Sequence, residues 1–503
     1  MKRPEDFPDA HLRVFARPPL PAPEAIGDVF LIGVCGKGLG ALAELFAASG
    51  RRVRGSDAAA YPPMSTRLAA CGIEILDGYD AAHLAPSAGR PAPDLTVVGN
   101  AAIPTHVEAA AAREAGLVQA SFPEALAHVF LAGRRPVVVA GTHGKTTTTG
   151  LLTHVLREAG LDPGFLVGGV MVGDEATAAL GTGRHFVVEG DEYDAAYVDK
   201  RPKMLLYRPQ VAVVTSLEFD HADIYDGPDD YRAAFEAFVA LVPEAGGHLV
   251  LWGDDPHVRA LAAHTAAAVT FYGDGPGCAV TARDARAEAG GQRFRLVAGD
   301  AEADVFLPLG GAFNRHNALA VAAVALAEGV DVATVAAALG TFRGMARRQE
   351  PRGEWGGVLV VDDFAHHPTA VEATIRAVRE RWADRFAAGG AGGRLVAVFE
   401  PRSNSSRRKT FEARYGESFD GADRAFLSAP PLRHNDDAAD FLDPDAVAAA
   451  VTRRGTPAAA FDGADALLPD LVAALRPGDV ALVMSNGSFD GLVGRLVTAL
   501  GGG

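Results

Sequence analysis

A glycine-rich loop between a buried strand and a helix constrains this chain more than any other feature. Residues 134–152 read RRPVVVAGTHGKTTTTGLL, an apolar run followed by glycines and then a helical segment. This order predicts a phosphate-binding loop, because the loop N–H groups and the helix N-terminus form a cradle for anionic oxygens. Lys145 is placed to reach the terminal phosphates of a nucleotide, and the Thr146 hydroxyl to bind Mg²⁺. Val139 departs from the full pattern G-x-x-x-x-G-K-[ST]; the alternative, a glycine turn with an exposed lysine, leaves the flanking strand and threonine run unexplained.

A second glycine turn lies nearer the N-terminus. Val29–Ile32 is a predicted strand, Gly36–Gly40 supplies the glycines, and the next strand ends at Ser56–Asp57. This is a Rossmann-like unit in which Asp57 can accept a hydrogen bond from a ribose or a base. Another strand ends just before Asn100, at the edge where such sheets bind ligands. A tight turn without a ligand is the alternative.

Strands and helices alternate along the rest of the chain, which predicts an α/β fold with three domains. The N-terminal domain is expected to be Rossmann-like, the central one P-loop ATPase-like, and the C-terminal one Rossmann-like. A helix is predicted from Asn317 to about Glu328. The predicted divisions are a loose extension over 1–25 and domains over 26–131, 132–345 and 346–503.

Composition excludes several classes of function. With 47 Lys and Arg against 63 Asp and Glu, the formal net charge is −16, so a general nucleic-acid binder is not expected. Cys35, Cys71 and Cys278 form no C-x-x-C pair, which argues for a reducing compartment and against structural zinc. No apolar run reaches about 18 residues, and the N-terminus lacks the apolar core of a signal peptide. We therefore predict a cytoplasmic protein that does not engage a membrane.

Four further clusters carry polar chemistry. Glu189–Asp194 follows a strand in the phosphate-loop domain, where its carboxylates suit Mg²⁺; a solvated acidic turn is the alternative. Leu217–Asp223 also follows a strand and contains His221, which by itself is more typical of a structural residue than of a ligand. Asn314–Asn317 stands at a predicted helix start, where capping is the alternative to binding. Asp362–Thr369 holds two Asp and two His, which fit either a metal site or a helix start.

Taken in this order, the motifs resemble the Mur ligases of bacterial cell-wall synthesis. The resemblance covers nearly the whole chain, and Gly141–Thr146 looks like that family's variant of the phosphate loop, which accounts for Val139. Within the family, the resemblance is strongest to the ligases that recycle murein peptides. The N-terminal extension and Ala41, where many members have Gly, are departures. The strings that carry the closer resemblance are 56–66, LEFDHADIYD at 217–226, DDFAHHPT at 362–369, EPRSN at 400–404 and MSNG at 484–487.

The resemblance implies an ATP-dependent ligase that forms an amide bond. Its substrates would be UDP-N-acetylmuramate and the murein tripeptide L-Ala-γ-D-Glu-meso-diaminopimelate, with Mg²⁺ as cofactor and no obligate protein partner. The sugar carboxylate would attack the γ-phosphate of ATP to give an acyl phosphate and ADP, and the peptide amine would then displace phosphate. Because a carboxylate acylates poorly at neutral pH and both reactants are anionic, activation by ATP and screening by cations are required.

The same resemblance places the site residues in five groups. The expected catalytic residues are Lys145, Glu189, His221 and Arg348, and the expected magnesium ligands are Thr146, Glu189 and His221. ATP would contact Gly141, Thr142, His143, Gly144, Lys145, Thr146, Thr147, Asn314, Asn317, Arg348 (phosphate) and Asp363 (ribose). The UDP-sugar would contact Gly36, Lys37, Gly38, Leu39, Gly40, Ser56, Asp57 and Asn100. The peptide would contact His366, His367, Arg402, Ser403 and Asn404.

Three rival functions stay open at this point. UDP-N-acetylmuramate–L-alanine ligase has the same donor and chemistry but takes a free amino acid. An ATP-binding switch without ligase activity would not need the first glycine turn, and a nicotinamide-dependent oxidoreductase would not need the phosphate loop.

One residue of several Mur ligases has no counterpart here. Those enzymes use a carbamylated lysine, downstream of the position of His221, to help hold a second Mg²⁺. This chain has no lysine between Lys203 and Lys409. We therefore predict that no carbamate forms in the central segment beyond His221.

Overall fold

The structure, a computed structural model, describes residues 3–61, 64–87, 90–174, 176–221, 224–387, 392–431 and 440–502. Contacts between Cα atoms divide the chain into two compact units. The first contains Met1–Val170, Asp174–Ala279 and Ala320–Asp331, and the second contains Met171–Gly173, Val280–Leu319 and Val332–Gly503. Within the described part of the chain, no helix has both the length and the apolar character needed to cross a membrane.

The N-terminal part of the first unit is a five-stranded parallel sheet in the order β3-β2-β1-β4-β5. β1 is buried along its whole length, and its apolar side chains pack against helices on both faces of the sheet. Strand order reverses between β1 and β4, which creates the crevice where such sheets bind ligands. The elements are α1 (Ala10–Arg13), β1 (Asp28–Ile32), α2 (Lys37–Ala48), β2 (Arg52–Asp57), α3 (Met64–Ala70), β3 (Glu74–Asp77), β4 (Leu95–Val98), α4 (Val107–Glu114), β5 (Gln119–Ser121) and α5 (Phe122–Leu126).

The described part of the N-terminal extension is packed against the first unit rather than loose. Arg17 donates two hydrogen bonds to the carboxylate of Glu124, at 2.9 and 3.0 Å. Arg13 Nη1 donates to the carbonyl oxygen of Tyr197 at 3.3 Å, and His128 Nε2 lies 2.7 Å from the carbonyl oxygen of Pro21. The sequence prediction of looseness is wrong because composition could not reveal these partners, which are more than 100 residues away.

The central part of the first unit contains seven consecutive strands of one sheet, in the order β14-β13-β12-β6-β9-β7-β8. All its neighbours are parallel except β7 and β8, and a separate hairpin joins β10 to β11. The elements are β6 (Arg135–Ala140), α6 (Lys145–Glu158), β7 (Gly164–Leu166), β8 (Ala178–Ala179), β9 (His185–Gly190), β10 (Asp194–Ala196), β11 (Asp199–Pro202), β12 (Val211–Val214), α7 (Pro228–Val239), β13 (His248–Trp252), α8 (Pro256–Ala260) and β14 (Ala268–Tyr272).

The second unit begins with three antiparallel strands, β15 (Val280–Glu288), β16 (Gly291–Ala298) and β17 (Ala301–Leu307). The next helices are α9 (Ala312–Ala327), whose second half is grouped with the first unit, and α10 (Val332–Thr341). Because α9 begins at Ala312, the predicted start at Asn317 is wrong. Asn314 and Asn317 lie inside the first two turns and do not cap the helix.

A six-stranded sheet in the order β18-β19-β23-β20-β21-β22 forms the rest of the second unit. β18 is antiparallel to β19 and the other pairs are parallel, with an apolar cluster on each face of the sheet. Together with the two sheets of the first unit, this confirms the predicted α/β class with three domains. The elements are β18 (Glu350–Trp355), β19 (Val358–Asp363), α11 (Pro368–Arg381), α12 (Ala383–Phe386), β20 (Leu395–Phe399), α13 (Glu412–Glu417), β21 (Arg424–Ser428), α14 (Pro444–Arg453), β22 (Ala458–Phe461), α15 (Gly463–Ala474), β23 (Val480–Met484) and α16 (Leu492–Ala499).

Candidate active site

The phosphate loop connects β6 to α6 through two glycines that both adopt positive φ. Gly141 has φ 133° and Gly144, the residue before the helix, has φ 82°. A Cβ on Gly141 would lie 2.2 Å from Thr215 Oγ1, so no side chain fits there. The loop therefore keeps its backbone close to the end of β12, with its N–H groups at the start of a 14-residue helix.

The segment after β12 holds this loop in shape. The Thr142 hydroxyl donates to the carbonyl oxygen of Glu218 at 2.7 Å, and the backbone N–H of His143 donates to Ser216 Oγ at 2.8 Å. The His143 ring also reaches the Glu218 carboxylate, with Nε2 2.9 Å from Oε2. The loop conformation therefore depends on the polar residues that follow β12.

Lys145 and His221 meet at one buried carboxylate, that of Glu192. Lys145 Nζ donates to Glu192 Oε2 and to the carbonyl oxygen of Gly141, both at 2.7 Å. His221 Nε2 lies 3.1 Å from Glu192 Oε1, and the Tyr225 hydroxyl donates to the Glu192 carbonyl oxygen. The predicted catalytic carboxylate is Glu189, whereas the carboxylate that contacts Lys145 is Glu192. Both belong to the predicted acidic cluster, and spacing alone does not show which of them faces the lysine.

Electrostatics in this network favour the charged forms. Burial opposes ionisation of Glu192, but Lys145 and His221 outweigh it and lower the pKa of Glu192 to about 2. Burial likewise opposes the charge on Lys145, yet Glu192 and Asp191 raise its pKa. The pKa of His221 is also raised, because Glu192 outweighs the effect of burial. The Glu192 carboxylate is therefore shared by the Lys145 ammonium and the His221 ring, one on each oxygen.

Thr146 and Glu189 form a second group beside it. The Thr146 hydroxyl donates to Glu189 Oε2 at 3.0 Å, and the backbone N–H of Gly168 donates to Oε1 at 2.6 Å. Burial and the neighbouring Asp191 raise the pKa of Glu189, so this carboxylate lacks full charge compensation. An oxygen donor set with excess negative charge fits Mg²⁺, which prefers one or two carboxylates and retains several waters.

The predicted UDP-sugar residues lie at the carboxyl edge of the N-terminal sheet. Asp57 Oδ2 accepts from the backbone N–H of Cys35 at 2.9 Å, which ties the end of β2 to the glycine turn. Gly36, Lys37, Gly38 and Asn100 are exposed at this edge. Gly40 is closely packed, because a Cβ there would lie 2.7 Å from Met64 Sδ.

Two members of that predicted set point away from solvent. The Ser56 hydroxyl is fully buried and donates to Glu108 Oε2 at 2.5 Å, so binding through it would require breaking this bond. The Leu39 side chain is buried in the core of the N-terminal domain. In this structure the Ser56 hydroxyl and the Leu39 side chain therefore support the fold, and any contact of these two residues with a ligand is left to their backbone.

The second unit carries the other predicted ATP residues. Asp363 accepts from the backbone N–H groups of Gln349 and Ala365, both at 2.7 Å, and burial raises its pKa despite the nearby Arg348. The Arg348 guanidinium lies 4.6 Å from the ring centroid of Phe364.

The predicted adenine residues lie on α9. The amide of Asn314 donates to the carbonyl oxygen of Gly310 at 2.8 Å, and Asn317 Nδ2 lies 3.3 Å from Asn314 Oδ1. Both side chains are 5% exposed. These contacts hold the two amides together, one turn of α9 apart.

The predicted peptide residues follow β19 and β20, which flank β23 in the sheet. Arg402 Nη1 lies 3.1 Å from Glu400 Oε1, and Glu400 Oε2 accepts from the Ser485 hydroxyl at 2.6 Å. Ser403 exchanges hydrogen bonds with Ser406, each at 2.9 Å. Asn404 is exposed, His367 is buried and precedes α11, and His366 Nδ1 lies 3.0 Å from the carbonyl oxygen of Phe364.

The structure brings together Lys145, Thr146, Glu189 and His221 in the first unit, and Arg348 with Asp363 in the second. The roles assigned to these residues stay predictions. Glu192 is the one member of the charged network that the sequence assignment omitted.

Comparison with known proteins identifies the class. Residues 28–134 match the Mur ligase family catalytic domain, 139–325 the Mur ligase middle domain, and 347–487 the Mur ligase glutamate ligase domain. The chain belongs to the Mur ligase family and is an ATP-dependent ligase.

Relatives of two specificities are similar along their whole length. UDP-N-acetylmuramate–L-alanyl-γ-D-glutamyl-meso-2,6-diaminoheptandioate ligase of Escherichia coli is 38% identical over 477 residues, covering 94% of this chain and 98% of that protein. UDP-N-acetylmuramate–L-alanine ligase of Acidothermus cellulolyticus is 38% identical over 490 residues, covering 95% and 96%. The crystal structure of a murein peptide ligase from Psychrobacter arcticus has a TM-score of 0.69 and 33% identity, covering 94% and 98%.

Proposed function

We propose that this ligase joins UDP-N-acetylmuramate to the tripeptide L-Ala-γ-D-Glu-meso-diaminopimelate. The observation that carries the proposal is the arginine-bearing segment after β20, in which Arg402 is held by Glu400 at 3.1 Å. A guanidinium group can bind a carboxylate of the peptide that lies far from the reacting amine. Free L-alanine has only one carboxylate, and it lies next to the reacting amine. The similarity to the Escherichia coli ligase supports the same choice.

In the proposed reaction, an oxygen of the sugar's lactyl carboxylate attacks the γ-phosphorus of ATP and ADP leaves. The peptide amine then attacks the acyl carbon, loses its proton and displaces phosphate. Lys145 would neutralise the phosphoryl oxygens and Arg348 would contact the phosphates from the C-terminal domain. Asp363 would hold the ribose, and Asn314 with Asn317 the adenine.

Thr146, Glu189 and His221 are the proposed holders of magnesium, which would supply positive charge between the two anionic reactants. Glu192 acts through Lys145 and His221 and is therefore a positioning residue. We also retain the predicted division into domains at 26–131, 132–345 and 346–503.

Release of ADP with UDP-N-acetylmuramate as donor tests the proposal. The tripeptide should be a far better acceptor than L-alanine, because contacts remote from the reacting amine raise turnover as well as binding. Comparable kcat/KM for both acceptors would favour the L-alanine ligase, which the similarity to the Acidothermus enzyme keeps as the second candidate. Absence of acceptor-dependent ADP release with either acceptor would show that this ligase does not use UDP-N-acetylmuramate as proposed.

A further inference from the structure

A cavity on the far side of β19 from Asp363 is not used by the proposed reaction. It has a volume of about 270 Å³ and lies within the second unit, between the ends of β19 and β23 and the start of α16. We call it the Asp362 cavity; its charged lining residues are Arg347, Arg352 and Asp362, and its other walls include Val483, Ser485 and Ser488. A volume just below the range of drug-sized ligand pockets suits an end group of a larger substrate rather than a nucleotide.

The carboxylate of Asp362 is buried but incompletely paired. Its side chain is 9% exposed, with Oδ1 3.6 Å from Arg347 Nε and Oδ2 4.0 Å from Arg352 Nη1. Both separations exceed an ordinary N–H···O hydrogen bond of about 2.7–3.2 Å. Burial raises the pKa of this carboxyl to about 6, so the two guanidinium groups do not fully compensate its charge. An additional donor with positive charge would therefore be stabilised here.

The two arginines differ in what they can offer a ligand. Arg347 Nη2 is committed to the carbonyl oxygens of Ser485 and Gly487, both at 2.6 Å. Arg352 is 44% exposed, and its contacts with Glu350 and Asp362 are 3.6 and 4.0 Å long. The Arg352 guanidinium can therefore reorient toward a carboxylate in the cavity without breaking a short hydrogen bond.

Two residues that line the cavity, Ser485 and Gly487, also adjoin the proposed peptide pocket. Ser485 lines the cavity, and its hydroxyl donates to Glu400, which holds Arg402. On the next turn of the loop, a Cβ on Gly487 would lie 2.0 Å from Arg402 Cδ. A peptide bound at Arg402 thus has this cavity as its neighbour.

We propose that the Asp362 cavity binds the distal α-amino-acid group of the peptide's diaminopimelate, with its ammonium at Asp362 and its carboxylate at Arg352. A cavity that presents one anion and one adjustable cation is complementary to a zwitterion and to no simple anion. The proposal rests on the proposed function, which supplies the tripeptide. It assigns to this cavity the choice among tripeptides that differ only at the end of the third residue.

Three tripeptide acceptors test the contact of the distal ammonium and that of the distal carboxylate separately. They are L-Ala-γ-D-Glu followed by meso-diaminopimelate, by L-lysine, which lacks the distal carboxylate, or by 2-aminopimelate, which lacks the distal amine. The wild-type enzyme should favour diaminopimelate over each of the others in kcat/KM by about 10- to 100-fold, the usual effect of losing a hydrogen bond to a charged group.

Arg352→Gln should lower the kcat/KM ratio of the diaminopimelate tripeptide to the lysine tripeptide to about one. The ratio of the diaminopimelate tripeptide to the 2-aminopimelate tripeptide should keep its wild-type value. Asp362→Asn should do the reverse. Arg454→Gln and Asp465→Asn, which alter exposed ion pairs elsewhere in the same domain, should keep both wild-type ratios.

Unchanged ratios in Arg352→Gln overturn the assignment even if Asp362→Asn does not fold, since Arg352 is partly exposed. A wild-type enzyme that ligates all three tripeptides equally also overturns it, but leaves the proposed function standing. A wild-type enzyme that ligates no tripeptide refutes the proposed function and the assignment together.

Discussion

Charged side chains are arranged differently at the phosphate loop and at the end of β19. At the phosphate loop, Lys145 makes two contacts of 2.7 Å and shares Glu192 with His221. At the end of β19, Asp362 faces two arginines across 3.6 and 4.0 Å. In the first arrangement, a closed network, the charged groups are already paired, so a nucleotide that binds Lys145 must displace Glu192 from it. The second arrangement has room for a partner, so a ligand can complete it without displacing a protein group.

The backbones of the two regions differ in a corresponding way. The phosphate loop uses Gly141 and Gly144 at its positive φ positions. Arg348 instead stands between two non-glycine residues with positive φ, Arg347 at 58° and Gln349 at 51°. Such backbone costs roughly 1–2 kcal/mol per residue, and here the hydrogen bonds of the Arg347 side chain and the Gln349 N–H offset it. The strained backbone conformation of Arg347 and Gln349 therefore fixes the position from which the Arg348 side chain extends.

Lys145→Ala tests the closed network with the largest expected effect. Loss of the charge at the developing phosphoryl anion should lower kcat by about 100-fold or more. The change also leaves Glu192 less well paired, so the variant should unfold at lower temperature. In Lys145→Ala/Glu192→Gln, stability should recover while activity does not. Near-normal turnover of the folded single variant would show that Lys145 is not at the phosphates.

Arg348→Gln tests the strained segment. If Arg348 contacts the phosphates, its loss should lower kcat/KM by about 10- to 100-fold, the effect of removing a charged hydrogen bond. Arg343→Gln, an exposed arginine five residues earlier, is the matched control and should behave as wild type. Equal effects of the two substitutions would remove Arg348 from the site.

Glu192→Gln tests compensation in the closed network through pH. Because the pKa of Glu192 falls from 4.5 to about 2 on folding, its ionised form stabilises the native state above pH 4.5, and this stability is lost as pH falls toward 2. At about 1.36 kcal/mol per pKa unit, roughly 3 kcal/mol is involved. The free energy of unfolding, measured with denaturant between pH 5 and 2, should therefore fall less with decreasing pH for Glu192→Gln than for wild type. Asp229→Asn, whose side chain is 96% exposed, should follow the wild-type curve.

Added bicarbonate should have no effect on the rate. Lysine is absent between Lys203 and Lys409, so no carbamate is available there to complete the metal shell. Activity assayed in degassed buffer, with and without bicarbonate, measures this directly. A bicarbonate-dependent rate would mean that the magnesium ligands are assigned incorrectly.

Local patterns predicted the regular parts of this molecule well. The strand predicted at Val29–Ile32 is observed as β1 (Asp28–Ile32), and the strand predicted to end just before Asn100 is observed as β4 (Leu95–Val98). Both are recognisable because buried parallel strands are continuous apolar runs between polar or glycine-rich segments. The antiparallel strands β15–β17 were not predicted. Their exposed faces carry many Arg, Asp and Glu, which dilute the apolar signal.

Site residues were predictable where a motif fixes the backbone, and not where folding chooses among similar neighbours. Lys145 and Thr146 follow from the strand, loop and helix order. Glu192 and Asp362 do not, since each stands near a second carboxylate, Glu189 or Asp363, and only the tertiary structure decides which one faces a cation. The predicted start of α9 is wrong for a related reason: Asn314 already lies inside the helix, and its amide donates to the carbonyl oxygen of Gly310, two residues before the helix begins.

The docked N-terminal extension affects how this enzyme should be handled. Arg13 reaches Tyr197, in the turn of the β10–β11 hairpin, and that hairpin begins two residues after Glu192. Arg17 holds the same extension to Glu124, which also accepts from the Ser121 N–H at the start of α5. An affinity tag or fusion partner attached at the N-terminus would therefore lie on a segment that contacts the hairpin next to the acidic loop beside Lys145. Kinetic work on this protein should use a C-terminal tag or remove an N-terminal one.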